Sequence, residues 1–309
     1  MKILVTGGAG FIGSNVADRY VADGHDVVVI DNLSNGKKEN LNPGAKFYQI
    51  GIESEELPNV FKKEKPDIVN HHAAQVNLRK SVEDPAFDAN VNITGSLKLF
   101  QQCAKHNVKK IIFASSGGGA YGEYKNFPPN ENHPLQPFSP YGIAKISVEM
   151  YLCFYSAAYG LDYTLLRYAN VYGPRQSPLG EAGVVAVFTN AMLNNKTVTI
   201  NGDGTQTRDY VYVDDVAEAN AISLFKGDRG VFNIGTGVET NVNELAGKLR
   251  DLAGYKLGIK HGLPIPGEQK RSVIDPLKAK KELNWNSSVL LDSGISKTVD
   301  WFKKTQKKG

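Results

Sequence analysis

Short apolar runs alternate with helix-spaced apolar positions through the first half of the chain. β-branched stretches occur at KILVT (2–6), DVVVID (26–31), KFYQI (46–50), DIVNH (67–71) and KKIIFAS (109–115). Between them, Ile12 to Ala22 and Phe87 to His106 place apolar residues at helical spacing. Runs that are apolar at consecutive positions, not at every second one, predict strands buried on both faces, as in a parallel sheet. Regular alternation of such strands with helices predicts an α/β fold built on a doubly wound parallel sheet. The pattern continues through a helix after Ser139 and a strand at YTLLRYA (163–169).

Beyond about Asn170 the texture changes. GPRQSPLGEAG and NGDGTQTRD are irregular, and helical segments are expected around 184–194, 214–226, 242–254 and 293–304. The expected organisation is a Rossmann-like domain over 1–169 and a smaller mixed α/β substrate domain over 170–309, with the strand at 230–237 returning to the first. No internal repeat or low-complexity segment interrupts this reading.

Composition narrows the function classes. The 309 residues are 41% hydrophobic and 22% charged, ordinary for a globular protein. A net charge of +4 without a dense Lys/Arg block permits an anionic small molecule and gives no reason to expect a nucleic acid partner. No stretch reaches the length of a membrane span, and MKILVTGG runs directly into a glycine turn. A cytoplasmic location with no membrane partner is therefore expected. Cys103 and Cys153 both fall in apolar helical stretches and are expected as buried, reduced thiols. No metal is expected, because no His/Cys/carboxylate group has ligand spacing. His71 and His72 are adjacent on a strand and face opposite ways, while Asp214 and Asp215 precede a helix as capping acids.

The chemistry begins at VTGGAGFIG, where Gly8, Gly10 and Gly13 form G-x-G-x-x-G between a strand and a helix. Glycine permits a tight turn and close backbone approach to a pyrophosphate, and the helix N-terminus supplies unpaired N–H groups. Asp31 follows the second strand, where a carboxylate receives ribose hydroxyls and disfavours a 2′-phosphate, so NAD is expected over NADP.

In SPYGIAK, Tyr141 and Lys145 lie one helical turn apart and reach one cleft. A tyrosine of ordinary pKa about 10 needs about three units of lowering to act as a base near neutrality. A positive charge at about 6 Å supplies about two of them, and an oxidised nicotinamide the rest. The segment FASSGGGAYG follows the fifth strand and places Ser115, Ser116 and a glycine run at the same sheet edge. It lacks the Lys-Ser/Thr ending of a P-loop.

Taken together, TGGAGFIGS, DNLSNG, SSGGGAYGE, SPYGIAK, RYANVYGPRQ and GDGTQTRDYVYVDDVA resemble the extended short-chain dehydrogenase/reductase family, and within it the UDP-glucose (UDP-galactose) 4-epimerases. The resemblance runs from Lys2 to about Trp285. It implies that Tyr141 is the base, Lys145 its partner and a ribose ligand, and Ser116 the hydroxyl on the sugar O4. It implies NAD contacts from Gly7, Gly10, Phe11, Ile12, Gly13, Asp31, Asn32, Ile52, Ala73, Ala74 and Asn90, as well as Tyr141 and Lys145. It implies a UDP-sugar held by Asn170, Arg208, Tyr210, Glu268 and Ser272, with Asn170 and Arg208 on the diphosphate, and it implies a homodimer. The implied reaction is a reversible 4-epimerisation through a 4-keto sugar.

Several positions depart from that pattern. SSGGGAYG has one residue more between serine and tyrosine than the commoner spacing, leaving Ser115 open beside Ser116. Gly51 stands where an aspartate often meets the adenine, Asn201 where an aromatic stacks on uracil, and Ile265 where an arginine is usual. Ser272 stands where some epimerases have a tyrosine crowding the sugar C2 substituent, so UDP-GlcNAc and UDP-GalNAc are expected to fit as well. The alternatives are a UDP-glucuronate 4-epimerase, a 4,6-dehydratase, disfavoured by Ser116-Gly117-Gly118 where an Asp-Glu pair is needed, and a non-catalytic NAD-binding regulator.

Overall fold

The computed structural model describes residues 1–122, 127–179, 183–265 and 269–306. The strands are β1 (Lys2–Thr6), β2 (Asp26–Ile30), β3 (Lys46–Tyr48), β4 (Ile68–His71), β5 (Lys110–Ser116), β6 (Asp162–Tyr168), β7 (Asn170–Tyr172), β8 (Val198–Asn201), β9 (Thr207–Tyr212), β10 (Gly230–Ile234), β11 (Glu239–Asn241), β12 (Ile259–Gly262) and β13 (Arg271–Ser272). The helices are α1 (Phe11–Ala22), α2 (Leu57–Glu64), α3 (Leu78–Glu83), α4 (Pro85–Ala89), α5 (Gly95–Lys105), α6 (Gly117–Tyr121), α7 (Pro140–Tyr159), α8 (Val184–Leu193), α9 (Val213–Ser223), α10 (Val242–Ala253) and α11 (Leu291–Gln306).

Seven parallel strands form one sheet in the order β10-β6-β5-β4-β1-β2-β3. Of the segment 230–237, residues 230–234 form β10, which lies parallel to β6 at the edge of this sheet. Consecutive residues of each strand feed opposite cores, the reason the strands read as unbroken apolar runs. Ile3 and Val5 pack with α1, α9 and Trp285, while Leu4 packs with α2, α5 and α7. A third core joins α8, α10 and α11 to Tyr172, Tyr210 and Tyr212. This smaller region carries β7, β11 and β13 around β9, and a separate β8–β12 pair.

Some expectations are corrected. The helix expected over 87–106 is α4 and α5 joined by a π-type turn at Asn90–Thr94. Helix α2 was not expected from the sequence, and its apolar face is only Leu57, Val60 and Phe61. Cys103 is buried, but Cys153 lies on the exposed face of α7; both are free thiols. Asp214 and Asp215 do not cap α9, whose N-cap is Tyr212. The Asp215 carboxylate instead accepts from the backbone of Ser288 and Val289, anchoring the segment before α11. Among the described residues, no helix is long and apolar enough to cross a membrane.

One buried charge ties the far edge of the sheet together. Glu64 is 5% exposed and meets Lys2, Lys46 and the Tyr48 hydroxyl. Desolvation raises its pKa, but hydrogen bonds from Lys46, Tyr48 and Lys2 outweigh it and bring the value down from 4.5 to about 2. The folded value lies below the unfolded one, so the contribution is complete above about pH 4.5 and is lost as pH falls toward 2. Glu64→Gln is expected to lower the unfolding free energy at neutral pH by about 2 kcal/mol. Urea melts should show that deficit shrinking between pH 5 and pH 3, on about the scale set by this linkage; a deficit that does not change with pH would contradict the assignment.

Candidate active site

At the carboxyl edge of the sheet, backbone packs directly on backbone. Gly7 has φ +68°, and a Cβ there would sit 2.7 Å from the Ala73 nitrogen. A Cβ on Gly13 would strike the Gly7 carbonyl. Gly10 caps α1 without a side chain, which leaves the first N–H groups, those of Phe11, Ile12 and Gly13, for an anion. Asp31 braces the turn: Oδ2 accepts from Ala9 N at 3.0 Å and Oδ1 from Leu33 N at 2.7 Å. The cradle therefore fits a dinucleotide on its own geometry.

The other expected cofactor residues are distributed around this cradle. Ala73 and Ala74 follow β4, and Ala73 N donates to Thr6 Oγ1. Ile52 is buried against Gly95 at the start of α5. Asn32 is exposed, its side chain turned to Ser34 N. Asn90 is exposed at the start of the π-type turn, and it is Asn92 that points inward, bonding both backbone groups of Gln75. His71 is buried in a polar chain between Thr6 Oγ1 at 2.7 Å and Ser96 Oγ at 2.9 Å. Since Ser96 donates to the Asn92 carbonyl, it accepts from His71 Nε2, and Thr6 donates to Nδ1.

Ser139 opens α7 as its N-cap, accepting from Gly142 N at 3.1 Å, with Pro140 in the first turn. One turn on from Tyr141, Lys145 Nζ donates to the Ala114 carbonyl at 2.8 Å, 4.8 Å from the centre of the Phe113 ring and 5.7 Å from that of Tyr141. The glycine run of SSGGGAYG becomes α6, and it serves packing. A Cβ on Gly142 would strike the Gly119 carbonyl, so α6 and α7 approach at glycine. The two serines at the end of β5 differ in environment. Ser115 is 4% exposed and donates to Glu149 Oε1 at 2.5 Å, whereas half-buried Ser116 accepts from Gly119 N at 3.1 Å and keeps its own proton to donate.

The environment shifts both groups of the Tyr141–Lys145 pair. Desolvation first and the Asp88 carboxylate second raise the Tyr141 pKa above its ordinary value. Lys145 is itself desolvated and drops to about 8, against the pull of Asp88 and Glu149. Burial and the Asp88 carboxylate thus both disfavour ionisation of the phenol. His72 is lowered to about 3 by burial and by Lys145 and stays neutral.

Four expected substrate residues meet on one small sheet in the second half of the chain. Asn170 of β7 pairs with Tyr210 of β9, and Ser272 of β13 pairs with Arg208 of β9. A Cβ on Gly118 would lie 3.3 Å from Ser272 Oγ, so Ser272 faces α6. Glu268 lies outside the described residues. Asp209 and the Glu149–Arg167 pair were missed from the sequence. Asp209 is fully buried and accepts from Thr236 N, Thr236 Oγ1 and Gly237 N, pinning β9 to the turn after β10. Glu149 and Arg167 form a buried two-pronged pair at 3.0 and 2.6 Å. The only available signals were a charge inside an apolar strand and an acid one turn after Lys145.

A dinucleotide cradle beside a helix whose Lys145 bonds to the sheet, one turn from Tyr141, defines a class of NAD-dependent enzyme. Residues 3–235 match the NAD dependent epimerase/dehydratase family, and the chain belongs to it. The UDP-glucose 4-epimerase of Thermotoga maritima, solved with UDP-glucose, is 52% identical with a TM-score of 0.97, covering 99% of this chain and 100% of that one. The Thermus thermophilus UDP-glucose 4-epimerase, solved with NAD, is 42% identical with a TM-score of 0.94, covering 98% and 99%. A putative UDP-glucose 4-epimerase of Methanocaldococcus jannaschii is 44% identical over 302 residues, 97% of this chain and 98% of that protein.

Proposed function

We infer that the protein is an NAD-dependent 4-epimerase of UDP-hexoses. The observation that supports this most is the placement of Tyr141, Lys145 and Ser116 on one edge, with Asn170, Arg208 and Ser272 on a separate sheet. The division of labour follows: 1–169 with β10 for NAD, 170–309 for the nucleotide sugar. NAD, when bound, accepts the C4 hydride, returns it, and contributes the positive charge that the phenol still needs. Tyr141 takes the O4 proton, and Ser116 donates a hydrogen bond to the same oxygen. Lys145, with two N–H donors left after the Ala114 bond, serves the phenolate and a ribose hydroxyl. Arg208 and Asn170 hold the diphosphate while the 4-keto sugar turns over. No carboxylate stands in α6 for the water elimination of a dehydratase.

A homodimer is supported by the outer face of α7, where Ile143, Met150, Tyr151, Phe154 and Tyr159 are 41–61% exposed. The two free thiols fit a reducing, cytoplasmic compartment. Ser272 is small, and beside Gly118 it leaves room at C2 for an N-acetyl group.

Three outcomes are expected. Proton NMR of purified protein with UDP-galactose and NAD should show UDP-glucose signals growing, and their absence with every UDP-hexose would refute the assignment. Ser272→Tyr should abolish turnover of UDP-GlcNAc and UDP-GalNAc and spare UDP-galactose; equal loss on both would end the C2 argument. Light scattering should give the mass of two chains for the wild type and of one for Phe154→Glu, whereas a monomeric wild type at micromolar concentration would rule out this interface.

A further inference from the structure

Asp88 lies on α4, 1% exposed. Its Oδ1 accepts from Gln75 Nε2 at 2.8 Å and Asn92 Nδ2 at 3.1 Å. Its Oδ2 is buried with no hydrogen-bond partner among the described residues. An acid so placed is costly unless a charge elsewhere in the site compensates it. Helix α4 packs on α7, and the carboxylate acts electrostatically on both Tyr141 and Lys145.

The other charged groups on neighbouring elements are paired, neutral or exposed. Glu149, further along α7, also favours the Lys145 ammonium but is itself held in the two-pronged pair with Arg167 of β6. His71 and His72, at the end of β4, are kept neutral by burial and by Lys145. On α3, Arg79, Lys80 and Glu83 are exposed. Among the described residues, Asp88 is thus a buried acid with one unpartnered oxygen, on a helix packed against the one that carries Tyr141 and Lys145.

We propose that Asp88 is a positioning residue for proton exchange at Tyr141: it keeps the Lys145 ammonium charged in a dry site and opposes premature ionisation of the phenol. The proposal rests on Tyr141 being the base. In the first half-reaction the O4 proton passes to the Tyr141 oxygen and in the second it returns to O4, so the phenol must be neither too weak nor too strong an acid. Lys145 and the bound cofactor pull its proton affinity down, and Asp88 pulls it up. The anion destabilises tyrosinate and stabilises ammonium, so removing it lowers the pKa of both groups.

The test is Asp88→Asn, whose side-chain oxygen still accepts from Gln75 and Asn92 while the charge is gone. In the NAD-loaded enzyme, both limbs of the pH profile of kcat/KM should move down by about one pH unit. The tyrosinate absorbance that Tyr141→Phe removes should move with them, and Asp88→Glu should restore the wild-type positions. Asp88→Ser gives the same reading should the asparagine variant fold poorly. A lower rate with unmoved limbs and an unmoved tyrosinate titration would overturn the proposal, leaving Asp88 only a structural role. The absorbance does not depend on turnover. A shifted titration in a protein that turns over no UDP-sugar would uphold Asp88 and refute the epimerase assignment instead.

Discussion

The hydrogen bond from Lys145 Nζ to the Ala114 carbonyl sets the height of α7 against the sheet. Everything at the edge is measured from it. Tyr141 lies one turn earlier on the same helix, and Ser116 two residues beyond Ala114 on the same strand. The bond is made in a desolvated place, so the ammonium cannot trade it for water at no cost. Glycine then decides how near the neighbouring backbone can come. Gly119 against Gly142 lets α6 lie on α7, and Gly7 against Ala73 and Gly13 lets the first turn press into the end of β4. Tyr141 and Lys145 on α7 and Ser116 at the end of β5 come to one sheet edge because glycine lets α6 and α7 approach there.

Beneath that edge runs a buried polar spine. Ser115 donates to Glu149, Glu149 grips Arg167, Arg167 donates to the Tyr121 hydroxyl, and Tyr121 donates to Asn233. Asn233 in turn reaches the carbonyls of Pro129 and Asp275. The spine crosses β5, β6 and β10, linking the Tyr141 helix to the segment that leaves β13. Burial pushes the Tyr121 phenol up to about 12, against the pull of Arg167, so it serves as a neutral donor. Its members support one another, since removing either side of a buried ion pair strands the other charge.

The large sheet was legible because its strands are buried on both faces, and unbroken apolar runs such as Leu4–Val5 or Ile111–Ile112–Phe113 leave no doubt about burial. Helix α2 was not, because only three apolar residues mark it and Lys62, Lys63 and Lys65 make it read as solvent-facing. Strands of two or three residues, such as β13 and β7, are too short to show a period. The facing of Arg208 by Ser272 exists only in the register between strands. Tyr141 and Lys145 were visible as a spacing, but the direction of the phenol's shift was not, since desolvation belongs to the folded site. The environments of Ser115 and Ser116, adjacent in sequence, separate only when Glu149 arrives from a helix thirty-odd residues later.

Strand β10 closes the large sheet beside β6, and Trp285 is buried in the same core as α1 and β1. While the residues between β6 and β10 are being made, the nascent chain therefore has an open strand edge along β6, and the apolar face under Trp285 stays uncovered longer still. Such an edge is a template for pairing with another chain. Long-range closure of this kind slows folding and lengthens the aggregation-prone interval. The large sheet is thus completed late, because its last strand is synthesised only after β7, β8 and β9 of the smaller region.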